Sequence, residues 1–137
     1  MNNGFAGSEK RASKRLKANF TLIYQVNKPP IVVMNIGYGR EIEALMLDLS
    51  EGGMAILTNY DIPKATVLLI KFTLINRALE GDNRIIKMNM TGVVCYNSLS
   101  ENEEHRLGIH FMQISEKDRK AIADFIKLSA RKDPPQL

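Results

Sequence analysis

Asp48-Leu49-Ser50-Glu51-Gly52-Gly53 places an acid, a hydroxyl and two glycines between the apolar runs 44–47 and 54–57. Both runs read as strands, so the polar stretch must reverse the chain between them. Glycine supplies the positive φ that a tight reversal needs, and Gly52 and Gly53 leave backbone uncovered for the close approach of a ligand. Asp48 accepts hydrogen bonds and carries a negative charge. Ser50, two residues on, points the same way along an extended strand and can donate or accept. Two arrangements are open: a polar clamp turned toward a ligand, or an ordinary hairpin in which Asp48 and Ser50 bond the turn amides.

Working outward, alternation at Phe20, Leu22, Tyr24 and Val26 predicts a first strand over residues 19–26, which Pro29 and Pro30 interrupt. An extended apolar run over 31–36, a turn at 37–39 and a strand over 41–49 read as a hairpin that delivers Asp48. After the polar turn come a short strand over 53–58, a loop at Asp61-Ile62-Pro63, and a β-favouring strand over 66–75. Residues 76–84 read as an exposed loop. A long strand follows over 85–96, in which Gly92 marks a bulge or a close backbone approach. The last strand is expected over 106–114, with Gly108 where a neighbour can pack closely. Ser115 caps the one clear helix, with Glu116 and Asp118 in its first turn. Ile122, Phe125, Ile126 and Ser129 form its apolar stripe, which either closes the open end of a barrel or serves as a dimer interface. Many short strands divided by turn signals predict an antiparallel barrel.

The chain of 137 residues suits one domain, and its 45% apolar and 25% charged residues are those of an ordinary folded protein. No apolar run approaches the ~20 residues that span a bilayer. Residues 1–17 are polar and basic, unlike a secretory signal, so a cytoplasmic location is expected. Cys95 is the only cysteine, which excludes an intramolecular disulfide and a multi-cysteine zinc site. Its apolar neighbours predict a buried, inert strand cysteine. His105 and His110 lack the spacing of a helical metal pair, so no metal site is assigned. No nucleophile has a base beside it and Asp48 lacks a partner carboxylate, so no catalytic residue is assigned and no enzyme is expected. The net charge of +4 points toward an anionic ligand.

Lys10, Arg11 and Arg15 lie in the concentrated basic segment 9–17, with the two arginines four residues apart. On a helical turn both guanidinium groups share a face; on an extended tether they can converge on one anion. Arginine binds phosphate bidentately, stacks on flat π-systems and fits the O6/N7 edge of guanine. Arg-x-x-x-Arg (Arg11, Arg15) before the first strand, followed by Asp-x-Ser-x-x-Gly (Asp48, Ser50, Gly53) between two strands, resembles the PilZ domain family of bacterial cyclic di-GMP receptors. The resemblance extends over most of the chain, including the Leu-Gly-Ile-His-Phe run at 107–111 and the closing helix. Residues 27–40 fit least well, because the link they form is longer than the family's usual one.

The resemblance implies a mainly β fold, a six-stranded antiparallel PilZ-like β-barrel with a C-terminal α-helix. It implies a flexible tail over 1–8, a PilZ-like domain over 9–131 (basic ligand-binding arm 9–18, barrel 19–114, helix 115–131) and a C-terminal tail over 132–137. Neither the preceding domain of flagellar-brake relatives nor an output domain is expected. By the same resemblance Arg11 and Arg15 would grip phosphate and guanine, Asp48 would accept from guanine N1 or N2, Ser50 would add a hydrogen bond, and Gly53 would preserve the turn. Lys10, Gly52 and Tyr96 are possible further contacts. The implied ligand is cyclic di-GMP, with no other cofactor, and the implied output is a conformational change passed to a protein partner by a monomer or dimer.

Two rivals stand beside this reading. A degenerate PilZ-like module would bind only protein, but such relatives usually lose the residues intact here. A basic barrel for single-stranded nucleic acid would need aromatics on a strand face flanked by basic residues. Aromatics make up only 7% of this chain, and Asp48 would repel a phosphate backbone, so nucleic acid is not an expected partner.

Overall fold

Alternating burial along Ile42, Ala44 and Met46 turns one face of their strand into the core and leaves the other outside, as a pleated strand requires. The computed structural model describes residues 16–28, 40–75 and 85–132. In chain order they form β1 (Leu16–Lys28), β2 (Ile42–Leu49), β3 (Gly53–Thr58), β4 (Val67–Ile75), β5 (Ile85–Leu99), β6 (His105–Gln113) and α1 (Glu116–Lys132). The strands close into a barrel in the order β1-β2-β3-β6-β5-β4, and every pairing is antiparallel. The expected six-stranded barrel with a C-terminal helix is therefore present. The expected tail, residues 9–15 of the expected basic arm, the run at 31–36 and the loop at 76–84 lie outside the described residues, whereas residues 16–18 of that arm begin β1.

The barrel is filled by Leu22, Tyr24, Met46, Leu49, Ile56, Leu68, Ile70, Met88 and Leu107, each at most 2% exposed. The connection from β3 to β4 brings the buried Ile62 into the same core. It is fastened to β5 by Ala65 N–H to the Val94 carbonyl (2.8 Å), Val94 N–H to the Thr66 carbonyl (2.9 Å), and Asn97 Nδ2 to the Ile62 carbonyl (2.8 Å).

Pairing between β1 and β4 runs from Lys28↔Val67 to Ile23↔Lys71 and stops there. Helix α1 packs against these two strands, sending Ile122 and Ile126 into the core and Phe125 edge-on to Phe20, with ring centroids 6.2 Å apart. The apolar stripe therefore packs onto the barrel beside the place where the β1–β4 pairing ends. Ser115 caps the helix, its Oγ accepting from Asp118 N–H at 3.1 Å. An apolar groove of about 770 Å³ lies beside this packing, lined by residues that include Phe20, Leu22, Phe72, Met88, Phe125 and Leu128. Asp48, Ser50 and Gly53 do not line it.

Two irregularities re-aim side chains. The β2–β3 register shifts between Met46↔Ile56 and Asp48↔Ala55. The extra residue, Leu47, lets Asp48 face outward while Leu49 turns into the core. On β5 the register shifts between Val94↔Ile109 and Tyr96↔Gly108. Cys95 is the extra residue there, and both it and Tyr96 come out exposed. This corrects the expectation of a buried cysteine: with Met88, Met90, Gly92 and Val94 turned inward, Cys95 falls on the outer face by the strand's own alternation, and the bulge then turns Tyr96 outward as well.

Candidate functional site

The turn between β2 and β3 is closed by its own polar groups. Ser50 N–H donates to the Gly53 carbonyl at 2.9 Å, the Ser50 hydroxyl donates to the same oxygen at 3.3 Å, and Gly52 N–H donates to Ser50 Oγ at 3.3 Å. Ser50 is only 4% exposed. Of the two arrangements left open by the sequence, Ser50 takes the turn-bonding one. The Gly52 carbonyl accepts from Phe111 N–H at 2.9 Å, tying the turn to β6. Gly53 is required by close approach: a Cβ there would overlap the Ile109 carbonyl oxygen.

Among the described residues, the Asp48 carboxylate meets Ala55 and Arg106. Oδ1 accepts from Ala55 N–H at 3.1 Å across the β2–β3 pairing. Oδ2 lies 3.5 Å from Arg106 Nη2 of β6. The Asp48 side chain is 16% exposed and that of Arg106 43%, so the pair sits at the surface with its acid partly sheltered. Arg106 Nε also reaches the hydroxyl of Tyr96 at 3.4 Å. Tyr96 is 41% exposed, and its ring lies so close over Gly108 that a Cβ on that residue would overlap it. Gly108 thus provides close packing as expected, against an aromatic ring rather than a neighbouring backbone.

Asp48, Gly52, Gly53 and Ser50 therefore meet at one turn, with Tyr96 joined to Asp48 through Arg106. Lys10, Arg11 and Arg15 lie outside the described residues. Among the described residues no group of three His, Cys, Asp or Glu comes together to hold a metal, and no helix is long and apolar enough to cross a membrane.

The family model of the PilZ domain matches residues 9–128. The chain belongs to the PilZ domain family. PilZ domains are ligand-binding regulatory modules, and the family includes receptors for cyclic di-GMP. Among solved structures this PilZ domain is similar to the Bacillus subtilis inhibitor of motility MotI/DgrA, with a TM-score of 0.68 and 15% identity. The match covers 91% of this chain and 53% of that one, so the chain spans about half the length of this relative. It is also similar to the PilZ domain of Escherichia coli YcgR with c-di-GMP, with a TM-score of 0.57, 14% identity, and coverage of 90% and 94%. The K. pneumonia MrkH–c-di-GMP complex matches with a TM-score of 0.54, 13% identity, and coverage of 90% and 55%. At such identities the likeness establishes the PilZ fold. No curated protein matches the chain.

Arg106 is the residue of this PilZ domain that the sequence reading missed. Alternation with Gly108 puts it on the outer face of β6, a signal present in the sequence. Its meeting with Asp48 follows only from the strand order, which inserts β3 between β2 and β6.

Proposed function

We propose that this PilZ domain is a cyclic di-GMP receptor that binds the messenger between the segment 9–18 and the β2–β3 turn. Arg11 and Arg15 grip phosphate and guanine, with Lys10 as a possible addition, and Asp48 accepts from a guanine N1 or N2 donor. Ser50 and Gly53 act through the shape of the turn, because the Ser50 hydroxyl is buried and engaged with Gly52 and Gly53. Gly52 and Tyr96 are further candidate contacts.

The observation that carries this reading is the register of β1. Leu16 pairs with Leu49 and Lys17 with Asp48. Arg15 is one peptide bond before Leu16, about 3.8 Å between Cα atoms, and the intervening chain tethers Arg11 within about 18 Å of it. Chain connectivity therefore keeps the arginine motif within reach of Asp48. The relatives whose structures contain cyclic di-GMP support the choice of ligand.

Calorimetric titration with cyclic di-GMP, with GTP as control, tests the proposal. The wild type binds saturably, and an Arg11→Ala, Arg15→Ala double variant binds at least about a hundredfold more weakly, since each charge-assisted contact contributes about 1.5–3 kcal/mol. A folded wild type that gives no heat would make the domain a protein-interaction module instead. The output is a newly ordered surface read by a protein partner in the cytoplasm. Slowed hydrogen exchange of residues 5–18 at saturating ligand is expected, and unchanged exchange would refute that step.

A further inference from the structure

The register across four strands aligns Asp48 with Ala55, Ala55 with Gly108, and Gly108 with Tyr96. Two small residues thus lie in the row between the acid and the tyrosine, Gly108 beneath the Tyr96 ring, and Arg106 reaches Asp48 at one end and Tyr96 at the other. Both of its contacts, 3.5 and 3.4 Å, are at the long end of the hydrogen-bond range. A guanidinium has five donors in a planar fork, so Arg106 can turn toward a ligand without leaving its neighbours. Side by side, Asp48 and Arg106 present an acceptor and a donor fork.

That pattern is complementary to one purine edge. Guanine offers N1–H and N2–H as donors next to O6 as an acceptor, whereas adenine offers N1 as an acceptor next to a donating N6 amino group. We propose that Arg106 is a base-reading residue of the messenger site, donating to O6 of the guanine whose N1–H and N2–H bond Asp48, and so selecting cyclic di-GMP over cyclic di-AMP. The assignment rests on the receptor reading above and adds its source of base specificity. Adenine would face Asp48 with an acceptor and Arg106 with a donor, leaving both side chains opposed by like groups. The two N-terminal arginines remain for the phosphates and the second base.

The test is titration of wild type, Arg106→Ala and Arg106→Lys with cyclic di-GMP, cyclic di-AMP and cyclic di-IMP, whose hypoxanthine bases keep O6 and N1–H but lack the N2 amino group. Arg106→Ala is expected to lose about tenfold to a hundredfold in affinity for cyclic di-GMP and not for cyclic di-AMP, so discrimination shrinks by that factor. The loss is expected to be equal for cyclic di-IMP, because the missing contact is to O6. Arg106→Lys, a single ammonium instead of a fork, recovers part of the loss and also decides the matter if the alanine variant does not fold. An unchanged cyclic di-GMP to cyclic di-AMP ratio in a folded variant overturns the assignment. So does a clearly smaller loss with cyclic di-IMP, which would mean that Arg106 acts only through Asp48. A wild type that binds none of the three overturns the receptor reading and this assignment together. A wild type that binds, and loses binding in the Arg11, Arg15 variant but not in the Arg106 variants, overturns this assignment alone.

Discussion

A methyl group at Gly53 would overlap the Ile109 carbonyl oxygen, a backbone atom that cannot swing aside. Gly53→Ala is therefore expected to lower stability by about 2–3 kcal/mol, the range for a strained core substitution, read as a fall in urea midpoint at constant slope. Gly108→Ala meets the ring of the exposed Tyr96 instead. That side chain can move, so the loss there is smaller. Inside the barrel Tyr24 shares a 2.8 Å hydrogen bond with Thr58. Burial pushes the Tyr24 phenol up from 10.0 to about 12; the Thr58 bond opposes this and nearby Tyr60 adds to it. The native state thus holds a proton that the unfolded chain releases near pH 10. This contribution is complete below pH 10 and is lost as pH rises toward 12, to a total of about 3 kcal/mol. Tyr24→Phe should flatten that alkaline fall in a chemical-denaturation series against pH. At this scale the place of Gly53 was legible and its reason only in part: neither Gly52 nor Gly53 takes the positive φ expected of the turn, and Gly53 is needed for close approach to the Ile109 carbonyl. The partner of the Tyr24 hydroxyl was not legible, because Thr58 comes from a distant strand.

Helix α1 depends on its cap and on its buried stripe. Ser115→Ala removes the acceptor of the Asp118 amide and is expected to cost about 1 kcal/mol. Ile122 is fully buried, and Ile122→Ala is expected to cost about 2–5 kcal/mol. Because α1 packs on β1 and β4, that variant should also speed hydrogen exchange at Phe72 and Leu74 of β4 more than at Ile56 of β3. Helix and strands were readable because their periods differ: the capping serine and the 122, 125, 126 stripe marked α1, and strand β3 was expected over the residues it occupies. The bulges at Leu47 and Cys95 were not readable. Each is a single extra residue within an apolar run, and apolar runs carry no record of which partner residue is skipped.

For the molecule as a whole, the decisive fact is which strands become neighbours. Asp48 and Arg106 come from opposite halves of the chain and meet because β3 pairs with both β2 and β6. Local patterns name the residues but not that adjacency, so the motif half of the site was legible and the Arg106 half was not. The size of the ligand follows at this scale too. A messenger with two phosphates should give an affinity that falls with salt at a log–log slope of about −1 to −2, whereas a polynucleotide contacting many phosphates would give a much steeper one. Salt-series titration separates them. The bulge on β5 has a practical side as well. The chain's single cysteine sits there, exposed and immediately before Tyr96, its thiol donating to the Gly108 carbonyl at 3.2 Å, so a maleimide dye attaches at one place, and that place borders the row from Asp48 to Tyr96. The wild-type protein is thus already built for site-specific fluorescence, and any disulfide it forms must join two molecules through this same face.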